Sequence, residues 1–419
     1  MALRTSFFRR ICRPAQIRYT ATAAAKKEGD ISDFFLQLSG QDFQPLPQRF
    51  ADLKSRLIAS HEDKLQASWD LLLRALQEEI PMIASVGSEI VPEIDFSDLD
   101  NASSDFKREH KKRGVAVIRN VIPEKDALHY KSDIRAYIQN NPNTKAFPSD
   151  NPQVFELYWS SPQIKARAHP NLLKTQRFLM QFWHSADPDA NVSSDLPISY
   201  ADRFRIRLPG DSKFALGPHV DGGSCERWEE GGYGLGQVYE KIFSGHWQDY
   251  DPYETSCRLP VRSNLYNGSS ACSMFRMYQG WLSMSHTGPG EGTLLVNPLL
   301  SMATAYYLLR PFFSPARQQE IHATCASADF LHPSNWKLDR TPDSWLQGAS
   351  PGHGQELTPL LHPHLDLQNS LVHVPRVAPG DYVAWHCDTI HSAFRDLLQP
   401  CSTLWLTETR CRQGSRGAN

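Results

Sequence analysis

The amino-acid sequence predicts an α+β protein, with a helical N-terminal part ahead of a core built from short strands. Three observations carry that expectation. Leu65, Trp69, Leu72, Leu73, Leu76 and Ile80 recur at helical spacing over residues 63–80. Residues 200–211 alternate strictly between polar and apolar, with arginines on one face and Phe204, Ile206 and Leu208 on the other, the signature of a strand. Near the C-terminus, Val372 and Val374 precede Pro375, and a Pro379-Gly-Asp381 turn feeds the strand-like Tyr382-Val-Ala-Trp385.

Taken in order, residues 30–100 read as mainly helical, the clearest helix ending at Pro81. Residues 115–122 form a short buried strand, 124–139 a helix and 140–150 an Asn/Pro-rich loop. Residues 154–184 read as helical, with Tyr158 and Trp159 as structural aromatics rather than pocket walls. Residues 225–278, rich in Gly, Trp and Tyr, read as an insertion covering the mouth of the core, and 331–371 as a second insertion. The most apolar stretch, 293–313, is broken by Asn297, Pro298 and Arg310, which makes it a buried strand, a turn and a helix rather than a membrane span. Ser314-Pro315 has the form of a helix start. With no internal repeat and no sharp linker, residues 30–407 are expected to form a single domain.

Composition narrows the classes. A chain of 419 residues, 40% hydrophobic, can bury a large core, and a net charge of -2 lacks the basic excess of a nucleic-acid-binding protein. The eight cysteines include no Cys-x-x-Cys pair, so neither a zinc knuckle nor a disulfide framework is expected, and a reducing compartment fits. Residues 1–27 carry seven basic side chains and no acid, with Phe7, Phe8 and Ile11 placed to share a helix face. That pattern predicts a mitochondrial transit peptide; the alternative is a basic tail on a cytoplasmic protein. Residues 408–419 are polar and Gly/Ser-rich, a tail expected to be disordered.

The chemistry-bearing pattern is His-x-Asp, which occurs at His61, His219, His364 and His386. Context separates them. His61 opens the first helix, and His364-Leu-Asp366 lies in a Pro/His-rich segment that reads as a solvated turn. His219-Val-Asp221 follows a strand and its Pro209-Gly210-Asp211 turn and precedes Gly222 and Gly223. In extended chain, positions i and i+2 face one side, so His219 and Asp221 can converge on one ion. Either His386 or His391 then supplies a third ligand; His391, at the end of its strand unit, is preferred, and His386 reads as a packing histidine beside Trp385. Two histidines and a carboxylate hold one face of an iron(II) ion and leave the other open to small molecules.

Landmarks over residues 105–407 carry a resemblance. They are Gly114-Val-Ala-Val-Ile-Arg119, Glu156-Leu-Tyr-Trp159, Asp202-Arg-Phe-Arg-Ile-Arg207, Pro218-His-Val-Asp221-Gly-Gly, Gly280-Trp-Leu-Ser-Met-Ser-His-Thr-Gly-Pro-Gly-Glu-Gly-Thr-Leu294 and Gly380-Asp-Tyr-Val-Ala-Trp-His386. In this order they resemble the YbiU-like family, domain of unknown function 1479, within the Fe(II)/2-oxoglutarate oxygenase superfamily. The resemblance implies a double-stranded β-helix (a jelly-roll, cupin-like barrel) flanked by helices. It implies His219, Asp221 and His391 as metal ligands, Fe(II) as cofactor, and 2-oxoglutarate and O2 as cosubstrates in the oxidation of a small molecule.

One position departs from the superfamily pattern. About ten residues after the distal histidine an Arg usually grips the far carboxylate of 2-oxoglutarate; this chain has Cys401 and Ser402 there. Arg205 and Arg207, on one face of the strand ahead of the metal motif, are the expected replacements, with Ser402 beside them and Arg395 a further option. The alternatives are an iron oxygenase that does not use 2-oxoglutarate and a catalytically silent cupin-like protein binding a metal or carboxylate. The substrate is expected to be a small molecule, with the arginines suggesting a carboxylate on it.

Overall fold

The structure is a computed structural model and describes residues 34–36, 42–199, 203–206, 216–268, 274–317, 326–340 and 342–392. The expected transit peptide at 1–27, Arg207, Arg395, Ser402 and the tail at 408–419 lie outside the described residues.

Helix Glu62–Val86 forms where the apolar spacing placed it, and its stripe is buried along its whole length. Trp69, fully buried, stacks on Phe313 at 4.4 Å and on Tyr306 at 5.3 Å. Tyr306 belongs to helix Leu300–Leu309, which is apolar on nearly every face and correspondingly enclosed. Between them these two helices fill one side of the main core.

Four sheets complete a mixed α/β architecture. A four-stranded sheet runs Glu93–Asp95, Val115–Arg119, Tyr382–His386, Tyr278–Leu282, parallel in its first pair and antiparallel thereafter. Its second strand, Val115-Ala-Val-Ile118, is a continuous apolar run because both faces are covered. Gly114 starts that strand at a φ of +68°, and a Cβ there would lie 2.8 Å from the Thr389 hydroxyl, so only glycine fits the turn. A five-stranded antiparallel sheet orders Gln355–Glu356, His219–Val220, His391–Ser392, Leu295–Val296 and Val372–His373. Two small sheets join Phe313–Pro315 to Trp336–Leu338, and Ala146–Phe147 to Val154–Phe155 and Phe204–Arg205.

Several expectations need correction. Helix Glu62–Val86 runs on through Pro81: the proline lacks the amide hydrogen that would return to the Gln77 carbonyl, but burial of Ile80 and Ile83 on either side of it holds the helix against the core. Residues 154–184 begin as a strand before helices Ser161–Arg167 and Pro170–Met180. Ser314-Pro315 ends a strand instead of starting a helix; proline is tolerated at that terminal pairing position. The segment 331–371 is no mere insertion, since Gln355–Glu356 is an edge strand beside His219–Val220. His362 and His364 are buried, not solvated, with His364 packed edge-on to Trp69 and Trp336. Among the described residues the hydrogen-bonded pairings give open sheets rather than a closed barrel.

Candidate metal centre

His219 and His391 are directly paired across neighbouring antiparallel strands, so both side chains leave the same face of the five-stranded sheet. Their rings lie 4.3 Å apart between centroids. Asp221 follows two residues after His219, where the strand ends in a turn through Gly222 and Gly223. Gly223 has a φ of +85°, and a Cβ on it would sit 2.6 Å from the Ser263 carbonyl. The turn brings the carboxylate to 3.9 Å from His219 Nε2 and 3.6 Å from His391 Nε2. One potential ligand atom from each of the three residues lies within 4.8 Å of the other two.

Second contacts fix which ring nitrogens face inward. His219 Nδ1 lies 2.6 Å from the Gly217 carbonyl and His391 Nδ1 lies 3.0 Å from the Thr389 carbonyl. A carbonyl only accepts, so each Nδ1 carries the proton and each Nε2 presents a lone pair toward Asp221. Burial pushes the His391 imidazole down to about 3 and lowers His219 as well, which keeps both rings neutral near pH 7. Burial works to raise the Asp221 carboxyl, but His219, His391, the Arg276 guanidinium and a hydrogen bond donated by Gln279 together hold it well below the usual range. Two neutral imidazoles and one carboxylate are the donor set a divalent metal needs.

The charge of Arg205, on the strand expected to carry the carboxylate-binding arginines, acts on both histidines. Arg205 is itself solvent-exposed. His386 stays out of the trio. It stacks on Trp183 at 4.6 Å, bonds the Pro252 carbonyl through Nε2 and accepts the Asp388 amide at Nδ1. Tyr158 and Trp159 are exposed, and neither lines the cleft beside Asp221.

Sequence reasoning missed three features. Phe35 covers the site, its ring edge-on to His219 at 4.7 Å, in a segment anchored by the Leu36 amide on Glu356 and the Gly354 amide on the Phe34 carbonyl. Arg276 stands beside Asp221 in a small cleft of about 40 Å³ that opens to solvent. Behind that cleft Asp388 is fully buried between two arginines, 2.9 Å from Arg227 and 2.6 Å from Arg258, and accepts from the hydroxyls of Tyr239 and Tyr250. Arg227 also donates to the Asp221 carbonyl at 2.6 Å, so one guanidinium ties the turn carrying Asp221 to the segment that leads into His391. The group His386, Cys387 and Asp388 is close enough to hold a metal, but the Asp388 carboxylate is already committed to two guanidiniums.

A family model described as Gig2-like matches residues 44–397, and the chain belongs to that family. It is 30% identical over 341 residues to the uncharacterized protein YbiU of Escherichia coli K12, covering 78% of this chain and 73% of that protein. Among solved structures it is similar to GlcNAc Inducible Gene 2 of Candida albicans, at 32% identity and a TM-score of 0.74, over 85% of this chain and 74% of that one. It is also similar to a Salmonella typhimurium LT2 protein provisionally named an oxidoreductase, at 30% identity and a TM-score of 0.68, over 84% and 82% of the two chains. No helix among the described residues is long and apolar enough to cross a membrane.

Proposed function

We propose that the protein is a non-haem Fe(II)/2-oxoglutarate-dependent oxygenase that hydroxylates a small molecule. The observation that carries this reading is the convergence of His219 Nε2, His391 Nε2 and the Asp221 carboxylate on one point beside an open cleft. The five-stranded sheet that holds both histidines and the four-stranded sheet with Tyr382–His386 are, on this reading, the two halves of a double-stranded β-helix. The name of the Salmonella relative points to the same reaction class.

The donor atoms fit iron(II): borderline nitrogen and hard oxygen ligands occupy one side of the ion and leave the other to exogenous molecules. Bound iron would supply activation of O2 coupled to decarboxylation of 2-oxoglutarate to succinate, with one oxygen atom passing to the substrate. The chain's own part is positioning. The carbonyls of Gly217 and Thr389 hold the imidazoles in the Nδ1–H tautomer, and Gln279 orients the carboxylate. Phe35 packs its ring edge-on against His219 and steadies the imidazole. Arg205 supplies positive charge on the histidine side, where the distal carboxylate of 2-oxoglutarate would be gripped.

Metal binding tests the trio. His391→Ala is expected to lose stoichiometric Fe(II) binding in anaerobic equilibrium dialysis while the protein keeps its circular dichroism. His364→Ala is expected to do the reverse. It removes a buried ring packed on Trp69, Trp336 and Tyr306, which costs stability of about 2–4 kcal/mol, and should leave iron affinity unchanged. Equal loss of iron in both variants would sink the assignment.

A further inference from the structure

The row of side chains that holds the two histidines continues one strand further. Glu356 stands directly opposite His219 in the antiparallel pairing, as His391 does on the other side. The three side chains therefore leave one face of the sheet in line. Glu356 is buried, yet it is not among the three residues whose donor atoms converge on one ion. Its Oε1 instead accepts the Leu36 amide at 2.7 Å. On the other side of Phe35, the Phe34 carbonyl accepts the Gly354 amide at 2.9 Å. Residues 354–356 thus clasp the strap Phe34–Leu36 on both flanks of Phe35, whose ring lies edge-on to His219 at 4.7 Å. Gly354 permits this approach, since a Cβ there would lie 2.7 Å from the Phe34 ring and 3.2 Å from the Phe35 ring. Phe34 and Phe35 pack with Val154 and Leu216. Val154 is paired with Arg205, so the strap joins that small sheet to the one carrying the histidines.

We propose that Glu356 is a positioning residue for the metal centre, acting through the strap Phe34–Leu36, which sets the His219 ring for the ion. The proposal rests on the part of the reading above that makes the trio a metal centre, and not on the identity of the cosubstrate. The Gly217 carbonyl fixes one atom of the His219 imidazole, and a single hydrogen bond leaves a ring free to tilt about it. Phe35 packed against the ring removes that tilt. A ligand ring already held in place loses less freedom when the metal arrives, so the ion is bound more tightly. Glu356 acts at two removes. Its carboxylate holds Leu36 by a charge-assisted hydrogen bond, Leu36 fixes the neighbouring Phe35, and Phe35 fixes His219.

The test is Co(II) binding by the metal-free full-length chain, read from its visible absorption against a competing chelator. Phe35→Ala and Glu356→Ala are each expected to weaken Co(II) about 10-fold, the lower end of what outer partners of a metal site contribute. The double variant should bind no more weakly than Phe35→Ala, because both substitutions release the same ring. Glu356→Gln keeps an acceptor for the Leu36 amide and should recover most of the affinity. Gly354→Ala crowds both strap rings while leaving Glu356 in place, and it should weaken Co(II) as well. A purely structural role would lower the urea midpoint of these variants and leave their Co(II) affinity unchanged, which would overturn the proposal. Full additivity of Phe35→Ala and Glu356→Ala would also overturn it, since Glu356 would then act by another route. Absence of Co(II) binding in the unsubstituted chain would overturn the metal centre and the proposal together. Strap-dependent Co(II) binding in a protein whose Fe(II) form never binds 2-oxoglutarate would keep the proposal and remove the oxygenase reading.

Discussion

Asp388→Asn is expected to lower the unfolding free energy by about 3–5 kcal/mol, a large part of the ~5–15 kcal/mol that holds a typical domain together. The amide preserves the shape but replaces one of two oxygens, each accepting from a guanidinium and a tyrosine hydroxyl, with an NH2 that can only donate. It removes the one charge that compensates Arg227 and Arg258, both buried and both within 3 Å of it. The charged state is strongly preferred in the folded protein: burial would raise the Asp388 carboxyl, but Arg258, Arg227 and His386 hold it far below the usual range. Tyr250→Phe provides the internal standard, since it deletes one hydroxyl bonded to the same carboxylate and should cost only about 1–3 kcal/mol. Urea titration monitored by tryptophan fluorescence measures both. A loss for Asp388→Asn no greater than that for Tyr250→Phe would show that the arginine pair is not the cohesive element described here. Because Arg227 also holds the Asp221 carbonyl, the same variant should weaken Fe(II) binding even where it remains folded.

Stability should fall steeply as the pH drops below about 6.5, well before carboxylates begin to protonate. Burial depresses His110 to about 4 and His362, His364 and His386 to about 3, with Arg310 adding repulsion at His362 and His364. In the unfolded chain each returns to about 6.5. A histidine held neutral in the fold costs nothing above that value, because both states are then unprotonated. Below it the unfolded state takes up protons that the native state cannot, so stability is lost as the pH falls from about 6.5 toward the folded values. Each group contributes about 1 kcal/mol per pH unit over that window, and four together exhaust a typical stability within roughly two to three units. Urea midpoints measured from pH 7.5 to 5 in the presence of a chelator should decrease continuously. A midpoint unchanged between pH 7 and pH 5 would contradict the buried, neutral state of these rings.

The sequence made some of this legible and hid the rest for identifiable reasons. The trio was readable because strand geometry is local: His219 and Asp221 are two positions apart, and His391 ends a recognisable strand unit. The helix around Trp69 was readable from its period alone. Asp388 was not, because its partners Arg227 and Arg258 lie 161 and 130 residues away and nothing near it in the chain announces a buried charge. His364 was misread because a Pro/His-rich turn suggests solvent, whereas Tyr306, Trp69 and Trp336, from distant parts of the chain, close over it. Arg276 escaped notice for a related reason. It precedes strand Tyr278–Leu282 in a segment without alternation, and only the fold places it beside Asp221. Arg205, by contrast, announces itself through strand alternation, and its charge acts on both histidines.

The most direct test of the central claim is an anaerobic titration of the Fe(II)-loaded protein with 2-oxoglutarate, followed by the weak visible metal-to-ligand absorption of the chelate. A saturable band that disappears in Asp221→Ala is the predicted result. Iron bound at the trio with no band at any concentration of 2-oxoglutarate would contradict the assignment of this centre to a 2-oxoglutarate-dependent oxygenase.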